Sequence, residues 1–454
     1  MIDRYLYKEL LAWKASKQRL PLILRGARQV GKSTLIRSFG EEFDEYLEFN
    51  LEKPADRNLF DSLDENGLDN TIQRLFLARR KLLDPSRSIL VFIDEVQEFP
   101  SVIESLRFFY EDYPELYVIV TGSLLDFSLR TIQKVPVGRV TYLELHPINF
   151  LEYLGAYGNI PLLDLINKVP FDNLLLEPLF DAFHRYTTIG GMPNIVNTYI
   201  NNNENLSVLP PLYSGLVQGY MEDVVKYASN ATQKNVIKHI IQTAPYIIDD
   251  RVNLNNFGGS SFKTREVKEA MTSLQYARIL SLVYPTTHTK PPIVENLRKR
   301  PRLHYLDIGL VNYQLNLQSE LITLRNLHDS SKGKIVQQVV SQELKSLQIY
   351  PGHRPSFWVR DQAGTSSEVD IVYHYKQLLI PIEVKSGAIG RLRSLHEYMD
   401  RCNHNFSVRL YYGPIEISNM ITRKGKPYYL LNLPYALACK LADYLDWFLM
   451  ETME

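Results

Sequence analysis

A short apolar run, Leu20-Pro21-Leu22-Ile23-Leu24, leads without a break into Gly26-Ala27-Arg28-Gln29-Val30-Gly31-Lys32-Ser33-Thr34. The run has the composition of a strand buried on both faces. The segment after it contains G-x-x-x-x-G-K-S/T, the phosphate-binding loop. Gly26 and Gly31 allow backbone angles that other residues resist, so successive N–H groups can turn inward toward a phosphate. Lys32 brings a point charge to the outer phosphates, and the Ser33 hydroxyl is of the kind that ligates Mg²⁺. A helix starting near Lys32 adds the positive end of its dipole. Residues Gly26 to Thr34 are therefore the expected nucleotide-binding set, with ATP and Mg²⁺ as the expected ligands. Few other features of a chain constrain its fold so tightly, because this loop works only between a parallel strand and a helix.

The surrounding pattern supplies that setting. Ile2, Leu6, Leu10 and Trp13 recur at helical spacing and predict an amphipathic lead-in helix. Tyr46-Leu47-Glu48-Phe49-Asn50 reads as a second strand, and Ser88-Ile89-Leu90-Val91-Phe92-Ile93 as a buried one ending in Asp94-Glu95. An acid at the carboxyl end of such a strand lies beside the phosphate loop, where Asp94 is placed to hold the Mg²⁺ shell. Its neighbour Glu95 suits the orientation and activation of an attacking water. The next run, Leu116-Tyr117-Val118-Ile119-Val120, ends in Thr121-Gly122-Ser123. The hydroxyls of Thr121 and Ser123 have two readings, a contact to the γ-phosphate or its water, or a plain strand-to-loop turn. Arg139, with Arg130 as a rival, is either a cation for transition-state charge or an ordinary surface arginine. Strands alternating with helices over residues 20–146 imply an open parallel α/β sheet.

From Pro147 to about Asp250 the pattern is helical, broken by Gly190-Gly191-Met192-Pro193 and by the Asn201–Asn203 run, both turn signals. Thr264-Arg265-Glu266-Val267 opens a helix with an apolar face, and a strand follows near Ile279 to Tyr284. That order is compatible with a winged-helix region, a module that serves to bind DNA, as a lid or as a protein dock. The basic stretch Arg298-Lys299-Arg300-Pro301-Arg302 is either a phosphate contact or a solvated loop.

In the last third, Glu368 to Tyr375 and Leu378 to Lys385 read as two strands meeting at Lys376-Gln377. A turn that tight places Asp370 opposite Glu383 and Glu368 opposite Lys385. Like charges facing each other on a hairpin are destabilising, so Asp370 and Glu383 call for a cation. Oxygen ligands suit Mg²⁺, and with Lys385 alongside, the set matches metal-assisted phosphodiester hydrolysis. The competing reading is a surface hairpin with a Glu368–Lys385 ion pair and no metal. Pro381 restricts its strand to an edge or a non-bonding position.

Taken together, these motifs resemble prokaryotic AAA-type ATPases that carry a C-terminal domain of unknown function similar to the PD-(D/E)XK nuclease fold. The resemblance rests on residues 26–33, Phe92-Ile93-Asp94-Glu95, Val120-Thr121-Gly122-Ser123, Gly138-Arg139, Gly190-Gly191-Met192-Pro193, Tyr305 to Leu310, Glu368-Val369-Asp370, Ile382 to Lys385 and Leu431 to Tyr435. It implies an α/β ATPase domain over residues 1–150, a helical and winged-helix-like region over 151–310, and an α/β nuclease-like domain over 311–454. It also implies that Asp370, Glu383 and Lys385 stand at the nuclease-like positions. Gln337 is an amide where the helix after Gly333 usually carries a glutamate, one negative charge fewer for a metal.

Composition narrows the partners. Lys plus Arg and Asp plus Glu are both 51, so the chain carries no net charge and is no general polyanion binder. DNA, RNA or a protein remain as candidate partners, and an oligomer remains open. Two cysteines, Cys402 and Cys439, make neither a disulfide framework nor a four-ligand zinc site. No apolar run approaches the roughly 18 residues of a membrane span, and the expected location is cytoplasmic.

Overall fold

The computed structural model describes all residues except 1, 64–66, 124, 126, 128–137, 227, 229, 324–332, 353–354, 361–366, 388–391 and 453–454. Arg130 lies outside the described residues.

The N-terminal sheet has five strands, β1 (Leu22–Arg25), β2 (Glu45–Asn50), β3 (Ile89–Asp94), β4 (Leu116–Thr121) and β5 (Thr141–Glu144), in the order β2-β3-β4-β1-β5. Every neighbouring pair is parallel. Composition accounts for the order. The runs of β1, β3 and β4 are almost wholly apolar and take central places, whereas β2 alternates buried and half-buried residues at an edge. One face, with Ile23, Val91 and Val118, packs under the helices Gly67–Ala78 and Ser101–Asp112. The opposite face, with Leu22, Phe92 and Ile119, packs under the helices Leu6–Ala15 and Lys32–Gly40. Because β4 lies between β1 and β3, the phosphate loop and Asp94 open at the same sheet end one strand apart.

The middle of the chain is helical, from Phe150–Tyr157 through Leu176–Ile189, Pro193–Asn201 and Pro210–Lys226 to Ala231–Thr243. The helix Thr264–Tyr276 then leads into an antiparallel pair, β6 (Leu280–Val283) and β7 (Arg302–Tyr305). The long β6–β7 connection lies against the next domain: Thr286 donates its N–H to the Phe357 carbonyl at 2.8 Å, and its own carbonyl accepts from Val359 at 3.0 Å.

The C-terminal sheet is mixed: β8 (Ser356–Val359), β9 (Glu368–Tyr375), β10 (Leu378–Val384), β11 (Phe406–Tyr411), β12 (Glu416–Ile421) and β13 (Pro427–Pro434), ordered β12-β13-β11-β10-β9-β8. The β9–β10 register runs from Leu378↔Tyr375 to Ile382↔Ile371, as a two-residue turn at Lys376-Gln377 requires. Lys376 takes the left-handed conformation there, at φ 52°. Pro381 stands in an interior strand. It is accommodated because the β10–β11 ladder begins one residue later, at Ile382↔Val408. A single apolar cluster joins one face of the first sheet, the middle helices and residues such as Ile371, Ile382 and Val408 of the last sheet. Among the described residues no helix is long and apolar enough to cross a membrane. Cys402 and Cys439 are free and buried.

Candidate functional site

The chain leaves β1 at Arg25 and turns through Gly26, φ 153°, and Gly31, φ 96°, before the helix starts at Lys32. A side chain at Gly26 would run into the carbonyl oxygen of Leu145, so the loop closes only on glycine. Lys32 is buried, and its Nζ donates to the carbonyls of Gly26 (3.0 Å) and Ala27 (2.9 Å). Burial lowers the pKa of this amine to about 8, with Glu95 and Asp94 pulling the other way. Ser33 Oγ donates to Asp94 Oδ2 at 2.6 Å, and the Thr121 hydroxyl donates to Asp94 Oδ1. Asp94 thus gathers a hydroxyl from the loop and one from the end of β4. Glu95 stands at φ 56° just past β3. Gln97 Nε2 donates to its Oε2 at 2.6 Å, and Ser123 Oγ does so at 3.4 Å. Burial, then the neighbouring Asp94 charge, raises the pKa of the Glu95 carboxyl.

These groups open into a cavity of about 1240 Å³ whose walls come from three parts of the chain. Arg28 to Ser38, Asp94, Glu95 and Ser123 form one wall, residues 2–8 a second, and Pro193, Asn194 and Asn197 a third. Arg4 fastens the second wall. Its Nη1 donates to the Val30 carbonyl (2.8 Å), its Nη2 to that of His146 (2.5 Å), and its Nε lies 3.1 Å from Glu152. The third wall is fastened by the Gly-Gly turn. Gly191 N donates to Asp307 Oδ2 at 2.6 Å, and Ile148 N donates to the Gly191 carbonyl at 2.7 Å. Asp307 is fully buried, and desolvation raises its carboxyl pKa to about 6. Arg28 pairs with Asp223 on the Pro210–Lys226 helix, and Tyr220 Oη donates to the Arg28 carbonyl at 3.0 Å.

The C-terminal constellation also converges. Val384 N donates to Asp370 Oδ2 at 3.0 Å, and Lys385 Nζ donates to Glu383 Oε1 at 2.5 Å. The Glu368–Lys385 ion pair of the competing surface-hairpin reading does not form. Glu368 is bound instead by Arg302, whose Nε donates at 2.8 Å, with Arg251 Nε at 3.4 Å. Arg302 also reaches Asp370 Oδ1 and Asp249 Oδ1, each at 3.3 Å, and covers the Phe357 ring at 4.7 Å. Of the basic stretch, Arg298 and Arg300 are exposed, while Arg302 is buried among acids of the chain. Burial, reinforced by Asp370, raises the pKa of Glu383 to about 8. Gln337 is half-buried on the Gly333–Ser346 helix.

Residues 18–154 match the AAA domain family. The chain carries an AAA-type ATPase domain. Residues 180–321 and 332–422 match two further families, each described as a domain of unknown function (DUF8612 and DUF4143). No curated protein matches the chain. Among solved structures it is similar to a Walker-type ATPase of Pyrococcus abyssi, at 16% identity and TM-score 0.43, over 69% of this chain and 96% of that one. It is also similar to the RuvB Holliday junction branch migration motor of Thermotoga maritima, at 18% identity and TM-score 0.28, over 62% of this chain and 89% of that one. A third is a signal transduction ATPase with numerous domains and a tetratricopeptide repeat sensor from Pyrococcus horikoshii, at 14% identity and TM-score 0.28, over 76% of this chain and 45% of that one.

Within the ATPase domain the structure brings Lys32, Ser33, Thr34, Asp94, Glu95, Thr121 and Ser123 together. Arg139 stands elsewhere: its Nε bonds Glu111 Oε1 at 2.8 Å on the Ser101–Asp112 helix, and it does not line the cavity. Sequence reading missed Arg4, Asn194 and Asn197. The Asn pair is spaced i, i+3 just after Pro193 at a helix start, a pattern that puts both on one face. Arg4 left no signal, since its partners lie far along the chain.

Proposed function

We propose that the ATPase domain hydrolyses ATP with Mg²⁺ and acts as a switch that moves the middle region. The observation that carries this is the convergence of Lys32, Ser33, Asp94 and Glu95 at the mouth of one cavity shared with the Pro193–Asn201 helix. The donor set fits the metal: a hydroxyl on Ser33 and a carboxylate on Asp94, both oxygen ligands already at mutual hydrogen-bond distance. Once bound, Mg²⁺ offsets charge on the phosphate oxygens. Thr121 holds the Asp94 carboxylate in orientation, and Lys32 supplies positive charge at the outer phosphates. Glu95, held by Gln97 and Ser123, accepts a proton from the attacking water. Its raised pKa makes it a stronger base than an ordinary glutamate and moves the acid limb of the rate profile upward. Residues 2–8, Asn194 and Asn197 line the same cavity and offer polar groups to the rest of the nucleotide. The Arg28–Asp223 pair gives the phosphate loop a direct handle on the Pro210–Lys226 helix.

The test is steady-state hydrolysis with Mg²⁺, with and without single- and double-stranded DNA and RNA. Lys32→Ala should abolish nucleotide binding. Glu95→Gln should keep binding and lose about 10²–10⁴-fold in turnover. Normal turnover in Glu95→Gln would remove it as the base. Stimulation by one nucleic acid would identify the partner class, and indifference to all would point to a protein.

A second reading makes the C-terminal domain a metal-dependent nuclease-like module. The meeting of Asp370, Glu383 and Lys385 supports it, and Gln337 counts against it. Cutting of DNA or RNA that disappears in Asp370→Ala would favour this reading.

A further inference from the structure

The acids of the C-terminal constellation are already supplied with cations by the chain itself. A divalent metal between Asp370 and Glu383 would need free carboxylate oxygens and, commonly, a third acid. Here Arg302 Nη2 lies 3.3 Å from Asp370 Oδ1, the Val384 N–H bonds Asp370 Oδ2 at 3.0 Å, and Lys385 bonds Glu383 Oε1 at 2.5 Å. Gln337 offers an amide, and no group of three or more His, Cys, Asp or Glu among the described residues could hold a metal ion. As folded, the donor set does not fit a metal. One atom stands out against that background. Glu383 Oε2 is buried and has no hydrogen-bond partner, although its residue is only 6% exposed. A buried carboxyl oxygen without a partner is costly unless the group is uncharged, and the uncharged form is the one burial favours for Glu383.

We propose that Arg302 is a built-in cation that closes the Asp370–Glu383 site to divalent metal, and that withdrawing β7 opens it. The guanidinium is held among Asp249, Glu368 and Asp370 and against the Phe357 ring, so it stays in place without competition from solvent ions. A metal entering beside Asp370 would meet a fixed positive charge at short range in a water-poor setting, where repulsion is strong. Arg302 begins β7, which belongs with the middle region, whereas Asp370 and Glu383 belong to the C-terminal sheet. The block therefore crosses the border between the two, and movement of the middle region would control it. This inference rests on the C-terminal geometry and not on ATP hydrolysis, so the two are measured separately.

The test is Mn²⁺ binding to the full chain by electron paramagnetic resonance, comparing wild type, Asp370→Asn, Arg302→Met and the double variant. Wild type should match Asp370→Asn. Arg302→Met should gain an Mn²⁺ site, roughly tenfold or more tighter than any in wild type, that the double variant loses. Unchanged ATP hydrolysis by Arg302→Met shows that the variant is folded. If it is not, Arg302→Gln, which keeps a neutral donor, takes its place with the same expectation. Asp370-dependent Mn²⁺ binding in wild type, or a folded Arg302 variant that gains no site, would overturn the proposal.

Discussion

Lys32 combines burial with a positive charge, and among the described residues the carbonyls of Gly26 and Ala27 accept its hydrogen bonds. Desolvation leaves its pKa at about 8, well under that of a free lysine. Phosphate favours the charged form, so binding above that pH must take up a proton. Nucleotide affinity should therefore be level below pH 8 and fall by up to about tenfold per unit above it. Fluorescent-nucleotide titrations between neutral and alkaline pH check this, and a flat profile through the alkaline range would sink it. Glu95 shows the opposite case, an acid whose burial keeps the proton longer. Both shifts have the same first cause, removal of water from around the two groups.

At the scale of elements, a close joint is where the Leu176–Ile189 helix meets the Ile308–Gln314 helix. Asp307 caps the second helix by accepting from Gly309 N at 2.9 Å and Leu310 N at 3.2 Å, while its other oxygen takes Gly191 N. Gly309 itself lies so close to the Ile189 carbonyl that a Cβ would overlap it. Gly309→Ala should cost about 3 kcal/mol or more, read as a lowered midpoint in thermal unfolding. Full stability in that variant would show that the helices can move apart. Joints like this explain what could be read in advance. The phosphate loop, the acids ending β3 and the β9–β10 register were legible because each depends on residues next to one another in the chain. The Gly190-Gly191 turn was legible as a turn, but its place beside the nucleotide cavity depends on Asp307, more than a hundred residues away. Arg302 was misread for the same reason. A run of basic residues looks alike whether its last member faces solvent or three acids of the chain itself.

Across the whole molecule, the ATPase domain touches the middle region through Arg28 and Asp223, and the middle region touches the C-terminal sheet through Arg302 and Thr286. Asp223→Asn should leave nucleotide affinity within a few fold, since a partly exposed pair is worth about 1 kcal/mol or less. Wild type should show a nucleotide-induced change in hydrogen exchange along the Pro210–Lys226 helix, and Asp223→Asn should lose it. An unaltered response would place the coupling elsewhere. Thr286 has a consequence of its own. β8 is the last strand of its sheet, and its outer N–H and C=O groups are shielded by the Thr286 segment of the middle region. Any stroke large enough to lift that segment strips the shield and bares an edge that accepts any extended peptide, including the same strand of a neighbouring copy. Movement of the middle region would thus be limited by exposure of this edge, and a partner that supplies a strand there would hold the segment away.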